Sequence, residues 1–229
     1  MPKPPTPPAN IEPIAAALTR HYLDHAHYNR RNPLEELLFI LCSVKTSEKS
    51  YRRVYADFRR EFPTFSKLAE APAEYIARPL VPGGLYRQKS AALRKTIDAI
   101  IQRFGKLTLA PIKKFPDDQA ERFLTSLPGV GLKVARCVMM YSLDREVFPV
   151  DTHCWRIAKR LGWVRNTTSD GHCSDKDMNR LQEKLPPQHR YSLHVNFVSL
   201  GRQFCKAPTP DCDPCPINRY CKKVGTSKS

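Results

Sequence analysis

The chain has 229 residues, of which 38 are Lys or Arg and 22 are Asp or Glu, giving a formal net charge of +16 at pH 7. This excess favours a polyanionic partner, either nucleic acid or an anionic membrane surface, and predicts binding that weakens steeply with salt. The longest apolar run, Leu37 to Cys42, is far shorter than the ~20 residues of a membrane span and lies too deep in the chain for a secretory signal. We therefore expect neither a membrane protein nor a secreted one.

Proline fills five of the first nine positions, so residues 1–9 are predicted to form an extended or disordered lead. The remainder has no period-two alternation long enough to indicate a sheet, and its apolar residues recur at helical spacing. The sequence therefore predicts an all-α fold. The predicted helices cover approximately residues 10–28, 34–44, 47–61, 65–71, 73–78, 87–104, 117–126, 132–143, 152–162 and 188–204, with a polar loop over 165–174.

Capping residues support several of these helix starts. Asn10 and Ser47 are predicted N-caps, and Asn32, followed by proline and then by Glu35, has the pattern of an N-cap with a capping-box glutamate. The helix over 34–44 is apolar on nearly every side, so we expect it to be buried centrally. The aromatic residues of the following helix recur at helical spacing and are predicted to fill the core rather than to stack on bases.

Two glycines shape the turn in Leu127-Pro128-Gly129-Val130-Gly131-Leu132-Lys133. A turn at Gly129 and Gly131 suits positive φ or a bare backbone, and the start of the next helix presents free N–H groups to an anion such as phosphate. Lys133 lies in the first turn of that helix, where a cation is electrostatically disfavoured. An amine held there and screened from water loses its proton more readily and becomes a nucleophile. Taken alone, the segment is more simply explained as a helix-connecting turn with a surface lysine.

Two further features lie C-terminal to this turn. Asp151 stands eighteen residues after Lys133 and immediately before a predicted helix, where it would be an effective N-cap. Four cysteines then fall within seventeen residues in the spacing C-x6-C-x2-C-x5-C, namely Cys205, Cys212, Cys215 and Cys221. Four thiolates suit structural zinc or an iron–sulfur cluster, although zinc sites favour paired C-x2-C knuckles and this run has one. The other cysteines, Cys42, Cys137, Cys154 and Cys173, show no such pattern and are predicted to be free thiols.

Together these motifs resemble the endonuclease III family of helix-hairpin-helix DNA glycosylases, from about Asn32 to Cys221. The resemblance rests on the LPGVGLK turn, the segment Val150-Asp151-Thr152-His153, the lysine–aspartate spacing and the cysteine run. It implies a two-lobed all-α fold, with a six-helix lobe over 34–143 that contains the hairpin. The second lobe would combine 10–33 with 144–229 and carry a [4Fe–4S] cluster on the four cysteines. DNA would lie in the cleft between the lobes.

The resemblance also implies a bifunctional glycosylase and AP lyase of base excision repair. Lys133 would attack the sugar C1′ of a flipped nucleotide, form a Schiff base and allow β-elimination. Asp151, kept ionised by its cap hydrogen bonds, would stabilise the developing oxocarbenium charge and help to deprotonate Lys133. The structural alternatives are a phosphate contact for Lys133 and a cap alone for Asp151. The expected partner is double-stranded DNA with a flipped-out base, bound by a monomer in a bacterial cytoplasm (associated with the nucleoid) or in a eukaryotic nucleus.

Other DNA contacts follow from the same resemblance. Leu85, in Gly84-Leu85-Tyr86, matches the leucine that family members insert into the gap left by the flipped base. The second filling position, a glutamine in the family, falls on Val44, next to Lys45. The predicted DNA-binding residues are Leu85, Val44, Lys45, Gly129, Gly131 and His153.

The core segments Val130 to Lys133, Phe148 to Thr152 and Arg156 to Val164 also look like those of the plant 5-methylcytosine DNA glycosylases. Excision of damaged or modified pyrimidines is therefore the first functional prediction, and excision of 5-methylcytosine or another 5-substituted cytosine is the alternative. A third hypothesis is a catalytically silent DNA-binding protein. The retention of both Lys133 and Asp151 argues against it.

Overall fold

The computed structural model describes residues 6–25, 28–46, 48–164 and 173–226. Within these ranges the chain forms helices and connecting segments without a strand, which confirms the all-α prediction. The α-helices are α1 (Ile11–Tyr22), α2 (Pro33–Ser43), α3 (Glu48–Glu61), α4 (Phe65–Glu70), α5 (Ala73–Ala77), α6 (Tyr86–Phe104), α7 (Asp117–Ser126), α8 (Leu132–Leu143), α9 (Thr152–Arg160), α10 (Asp175–Lys184) and α11 (Pro187–Gln203). Short 3-10 helices cover Arg78–Gly83, Ala110–Lys114 and Asn218–Tyr220.

The helices group into two compact units. Unit 1 comprises Met1–Tyr28 with Glu146–Ser229, and unit 2 comprises Asn29–Arg145. Among the described residues unit 2 contains seven α-helices, α2 to α8, one more than the six that the family resemblance implied, and α4 and α5 lie where the sequence predicted separate helices over 65–71 and 73–78. No helix in the described part of the chain is both long and apolar enough to cross a bilayer.

Two contacts explain why unit 2 extends a few residues beyond the predicted 34–143. Ser142 Oγ donates to the carbonyl oxygen of Arg30 at 2.6 Å, and Arg31 forms an ion pair with Asp144 at 2.8 Å. These contacts fix the segment before α2 to the end of α8. The proline-rich residues 1–5, Ser47 and most of the predicted polar loop, 165–172, lie outside the described residues.

Helix α2 lies at the centre of unit 2, as predicted, with leucine side chains buried along its length and α3 and α8 packed against it. Tyr55 and Phe58 on α3, and Phe62 directly after it, are buried, and Tyr51 is half-buried, so the prediction that these aromatics form core is confirmed. Phe58 and Phe62 pack with ring centroids 5.2 Å apart. The apolar helix α2 is therefore the element against which α3, α6 and α8 pack.

The predicted start of α2 is right in its cap and wrong in its capping box. The Asn32 side chain accepts hydrogen bonds from Leu34 N at 2.9 Å and Glu35 N at 3.3 Å. Glu35 does not close the box, because its carboxylate pairs with Arg59 at 3.1 Å and accepts a hydrogen bond from the Tyr55 hydroxyl. A tertiary partner on α3 thus replaces the local one that the sequence pattern indicated.

In unit 1 the predicted cap and end of the first helix are both wrong. Asn10 makes no cap hydrogen bond. Its amide instead donates to the carbonyl oxygen of Tyr220 at 3.0 Å and accepts from the indole N–H of Trp163 at 2.9 Å. Helix α1 ends at Tyr22, short of the predicted residue 28, because Leu23 and Asp24 take left-handed backbone conformations.

Helix α10 was not predicted, since its sequence is polar and only Leu181 is buried within it. Its N-cap is nevertheless visible in the sequence. Ser174 Oγ accepts from Asp177 N at 3.2 Å and donates to the Asp177 carboxylate at 2.6 Å. The serine–x–x–acid pattern was therefore a valid helix start that the weak apolar periodicity concealed.

Candidate active site and cysteine centre

The glycine turn of unit 2 joins α7 to α8. Gly129 has φ of 78°, and a Cβ there would lie 3.5 Å from Ala92 Cβ on α6. Gly131 has φ of −86° and open space around its Cβ position. Backbone conformation therefore requires glycine at position 129 but not at 131. The buried Thr96 of α6 donates its hydroxyl hydrogen to the carbonyl oxygen of Pro128 at 2.6 Å, which fixes the turn on the helix behind it.

Lys133 lies in the first turn of α8, as predicted, and is half-buried. Gly131, the N-cap, makes no side-chain cap hydrogen bond. The positive end of the α8 dipole is thus next to the lysine, which is the electrostatic environment that disfavours the ammonium form. Leu132, Ala135 and Arg136 are buried around it, so the turn and the packing of α8 hold Lys133 in a defined position.

A buried carboxyl group accompanies this lysine. Glu36, fully buried on α2, accepts hydrogen bonds from Asn29 Nδ2 at 2.6 Å and Arg30 N at 2.7 Å. Burial raises the pKa of Glu36, while these two hydrogen bonds and the nearby positive charge of Lys133 lower it. Glu36 was not among the predicted site residues. Its position could have been inferred from the sequence, because a carboxylate on a helix that is apolar on nearly every side must be buried and must have specific partners.

Asp151 belongs to unit 1 and is the N-cap of α9, as predicted. Its Oδ1 accepts a hydrogen bond from Cys154 N at 2.8 Å, and its backbone is extended. An N-cap hydrogen bond and the positive end of a helix both stabilise an ionised carboxylate. The predicted N-cap role of Asp151 is therefore confirmed, and its role in the chemistry stays a prediction.

His153, two residues further on, packs inside unit 1. Its Nδ1 lies 2.9 Å from Arg156 Nη2, and a Cβ on Gly201 of α11 would come within 2.4 Å of the same nitrogen. Burial lowers the pKa of His153, against a raising effect of Asp151, so the ring favours its neutral form. Because Gly201 has no side chain, there is room for the His153 ring. The contact of His153 with DNA stays a prediction.

The two predicted wedge residues lie on exposed loops of unit 2. Leu85 is 45% exposed with φ of 51°, and Val44 is 40% exposed beside Lys45, whose φ is 53°. Large apolar side chains at such exposure are few among the described residues. Both loops therefore present an apolar tip to the surroundings of unit 2, as filling a gap in a base stack would require.

The four C-terminal cysteines line one pocket of unit 1. Apolar walls are supplied by Ile157, Leu161, Leu200 and Ile217. Burial raises the pKa of the Cys215 thiol to about 11, and it also raises the pKa of Cys221. No group of three or more His, Cys, Asp or Glu side chains among the described residues converges to hold a single metal ion. The cysteines are instead distributed around the pocket wall.

Hydrogen-bond donors approach the sulfur atoms of this pocket. Arg160, buried at the end of α9, donates to Cys205 Sγ at 3.1 Å, and Lys223 N donates to Cys221 Sγ at 3.4 Å. Arg160 also donates to the carbonyl oxygens of Lys206 at 2.8 Å and Pro208 at 3.2 Å. Donors of this kind stabilise thiolates and orient them. Four cysteines around one pocket, with donors directed at two of their sulfur atoms, fit a group held by four thiolates.

The other cysteines are free thiols, as predicted, and three of them lie in helices α2, α8 and α9. Cys42, Cys137 and Cys154 are buried, and Cys173 is half-buried. Burial raises the pKa of Cys173 to about 12. These thiols therefore act as small packing groups.

A family model of the HhH-GPD superfamily of base excision DNA repair proteins matches residues 39–187. This match covers most of the chain, and the chain belongs to this superfamily. The resemblance inferred from the motifs is thereby confirmed.

Individual relatives agree with the family. The chain is 26% identical to endonuclease III of Thermotoga maritima over 212 residues, covering 93% of this chain and 92% of that protein. Among solved structures, a trapped covalent intermediate of endonuclease III with DNA, containing an estranged adenine, matches with a TM-score of 0.77 and 26% identity. That match covers 93% of this chain and 95% of the other.

Plant relatives are longer. DEMETER-like protein 2 of Arabidopsis thaliana is 27% identical over 167 residues, which are 67% of this chain but 12% of that protein. The chain spans 64% of a second relative from the same plant. It thus falls short of two thirds of the length of both.

Proposed function

We propose that this protein is a bifunctional DNA glycosylase and AP lyase that removes damaged or modified pyrimidines from double-stranded DNA. The observation that carries the proposal is Lys133 in the first turn of α8, directly after the Gly129 turn. The similarity to a covalent endonuclease III–DNA intermediate supports an amine nucleophile. The protein acts as a monomer in base excision repair, in a bacterial cytoplasm or a eukaryotic nucleus.

The chemistry begins at the lysine. Neutral Lys133 attacks C1′ of the flipped nucleotide, and the bond between C1′ and the base breaks with its electron pair leaving on the base, which takes up a proton. Opening of the sugar then gives an iminium between Lys133 and C1′. The iminium acidifies the C2′ proton, whose loss expels the 3′ phosphate by β-elimination. Water finally hydrolyses the imine and frees the lysine.

Asp151 supplies the carboxylate of this mechanism. As the ionised N-cap of α9, Asp151 stabilises the positive charge that develops on the sugar as the base leaves. Its hydrogen bond from Cys154 N fixes one carboxylate oxygen. The exposed Leu85 and Val44 fill the gap left by the extruded base, while Lys45, His153 and the backbone at Gly129 and Gly131 contact the DNA.

Replacing Lys133 by Gln should abolish covalent trapping by borohydride on a duplex with an abasic site, because an amide cannot form an iminium. Lys106→Gln, which removes an exposed lysine elsewhere in unit 2, is the matched control and should trap like the wild type. Gel separation of the adduct from free DNA provides the measurement. Undiminished trapping by the Lys133 variant would contradict the assignment.

The pH dependence of trapping should report on Glu36. A negative charge near Lys133 favours the ammonium form, so Glu36→Gln raises the fraction of neutral amine at a given pH. The acid limb of the trapping rate should therefore move to lower pH, by up to about one pH unit. Single-turnover trapping from pH 5 to pH 9, a range chosen to bracket neutrality, measures this shift. Glu35→Gln, on the same helix but paired with Arg59, is the control, and identical profiles for all three proteins would show that Glu36 does not act on Lys133.

The four cysteines of unit 1 would hold a [4Fe–4S] cluster, with Cys205, Cys212, Cys215 and Cys221 as its ligands. A group bound by four thiolates couples folding of the C-terminal segment to its binding. The spacing C-x6-C-x2-C-x5-C, which contains only one C-x2-C pair, supports a [4Fe–4S] cluster over a single zinc ion. When bound, the cluster supplies a structural crosslink; this chain's own residues perform the chemistry on DNA.

Purified protein should contain about four irons and four acid-labile sulfides per chain. Cys212→Ser should lose most of this content and lower the unfolding temperature of unit 1, whereas Cys173→Ser, outside the pocket, should retain it. Iron, sulfide and zinc analysis, together with the visible absorption spectrum, distinguishes the outcomes. Stoichiometric zinc without labile sulfide would rule out the cluster.

Excision of 5-methylcytosine or another 5-substituted cytosine is the second candidate function, favoured by the similarity to DEMETER-like protein 2. Val44 fills space but cannot hydrogen-bond the orphaned partner base, so discrimination falls to the pocket for the flipped base and to the ease of extrusion. The third hypothesis, a silent DNA-binding protein, predicts no strand cleavage at an abasic site.

Thymine glycol should be excised roughly tenfold faster than 5-methylcytosine, because a lesion that pairs and stacks poorly has already lost part of the extrusion cost. Single-turnover excision of each base, opposite G and opposite A, provides the comparison. Opposite-base preference should be weak for both. Faster release of 5-methylcytosine would favour the second candidate.

A further inference from the structure

The ammonium group of Lys89 is enclosed in unit 2 and uses all three of its donors. The residue lies in the first turn of α6 and is 7% exposed. Its Nζ donates to the carbonyl oxygens of Cys42 at 3.1 Å and Gly83 at 3.0 Å, and to Thr46 Oγ1 at 2.7 Å. A lysine ammonium has three N–H groups, so its hydrogen-bonding capacity is satisfied.

The three acceptors lie at the two loops that carry the exposed apolar tips: Cys42 is in the last turn of α2, Thr46 is in the loop after it, and Gly83 is the last residue of the 3-10 helix Arg78–Gly83. Cys42 and Thr46 flank Val44, and Gly83 precedes Leu85 by two residues. Thr46 Oγ1 also donates to the carbonyl oxygen of Gly83 at 3.0 Å, which closes a network between the loops. One charged group therefore holds both loops at once.

Both loops contain a non-glycine residue in the left-handed region. Lys45 has φ of 53° and Leu85 has φ of 51°. This conformation is unfavourable for residues with a Cβ atom and persists only where the surroundings hold it. The hydrogen bonds of Lys89 lie immediately beside both strained positions.

Packing around the ammonium leaves little room for adjustment. A Cβ on Gly83 would lie 3.1 Å from Thr46 Oγ1, 3.3 Å from Val54 Cγ2 and 3.4 Å from Lys89 Nζ. Burial lowers the pKa of Lys89, and Cys42 opposes this shift. A buried charge is a costly way to join two loops, since an apolar contact between them avoids the desolvation penalty. Unlike an apolar contact, the ammonium group forms directional hydrogen bonds, and each of its three donors fixes the position of one acceptor.

We propose that Lys89 is a positioning residue that holds Val44 and Leu85 at a fixed separation, so that both tips enter the DNA together when a nucleotide is extruded. The inference rests on the proposed function and concerns its extrusion step. Without Lys89 each loop moves separately, and ordering them consumes part of the binding free energy that otherwise supports extrusion. Lys89 itself touches neither the reacting sugar nor the base.

The test compares substrates that do and do not require extrusion. Lys89→Met keeps an unbranched side chain that is one atom shorter and removes its donors. It should slow excision from a duplex by roughly 10- to 100-fold, the effect expected of buried acceptors left without partners. Borohydride trapping on a single-stranded abasic oligonucleotide should change by less than about threefold, because nothing has to be unstacked there. Equal losses on the two substrates would show general damage to unit 2 and overturn the proposal.

A double-mutant cycle shows whether Lys89 acts through the apolar tip. The double variant Lys89→Met with Leu85→Ala should be no slower on duplex DNA than the slower single variant, because both substitutions impair the same extrusion step. Multiplicative effects would mean that Lys89 acts elsewhere. Thr46→Val preserves side-chain size and removes only the hydroxyl group, so it should also slow duplex excision, by a smaller factor than Lys89→Met. This second variant tests the proposal even if Lys89→Met fails to fold.

A direct readout of extrusion separates this inference from the proposed function. The fluorescence of 2-aminopurine placed beside a mismatch rises when binding unstacks it. The wild type should raise this fluorescence and Lys89→Met should not, at saturating protein and whether or not the base is then excised. A fluorescence rise in both proteins would overturn the role of Lys89. Absence of excision by the wild type would instead overturn the proposed function.

Discussion

The left-handed backbone of Gly129 is the constraint on which the candidate site of unit 2 depends. It reverses the chain between α7 and α8, and the hydrogen bond from Thr96 to Pro128 fixes that reversal on α6. Helix α8 can then begin beside the turn while its apolar face packs on α2. Lys133 owes its place at the positive end of the α8 dipole to this arrangement. A side chain at position 129 would meet backbone strain because of the positive φ, although the space beside Ala92 would accept a Cβ.

Buried charged groups hold the irregular segments in both units. Glu36 holds Asn29 and Arg30 before α2, and Lys89 holds the segments around Thr46 and Gly83. In unit 1, Arg160 holds the carbonyl oxygens that follow Cys205. Each group forms hydrogen bonds with backbone or side-chain atoms that lie outside the hydrogen-bond pattern of the helices. Segments without regular structure thus acquire fixed positions, and the predicted functional residues Val44, Leu85 and Cys205 lie in or next to them.

Local signals in the sequence determined much of the fold. The bounds of α8 follow from its apolar residues after the glycine turn, and Asn32 and Asp151 are caps that the sequence shows directly. Where the prediction failed, a distant partner had replaced the local one. Glu35 pairs with Arg59 on α3 instead of closing its capping box, and Asn10 joins Trp163 to Tyr220. The partners of Glu36 and Lys89 likewise depend on tertiary packing, so motif analysis located Lys133 and Leu85 but not the groups beside them.

The central claim is that Lys133 is the amine that becomes covalently attached to DNA. The most direct measurement is to reduce the protein–DNA adduct with borohydride, digest both components and locate the remaining sugar by mass spectrometry of the peptides. The account predicts that the added mass lies on Lys133, in the peptide that begins α8. An adduct on the N-terminal amine or on another lysine, such as Lys45, with Lys133 unmodified, would contradict it.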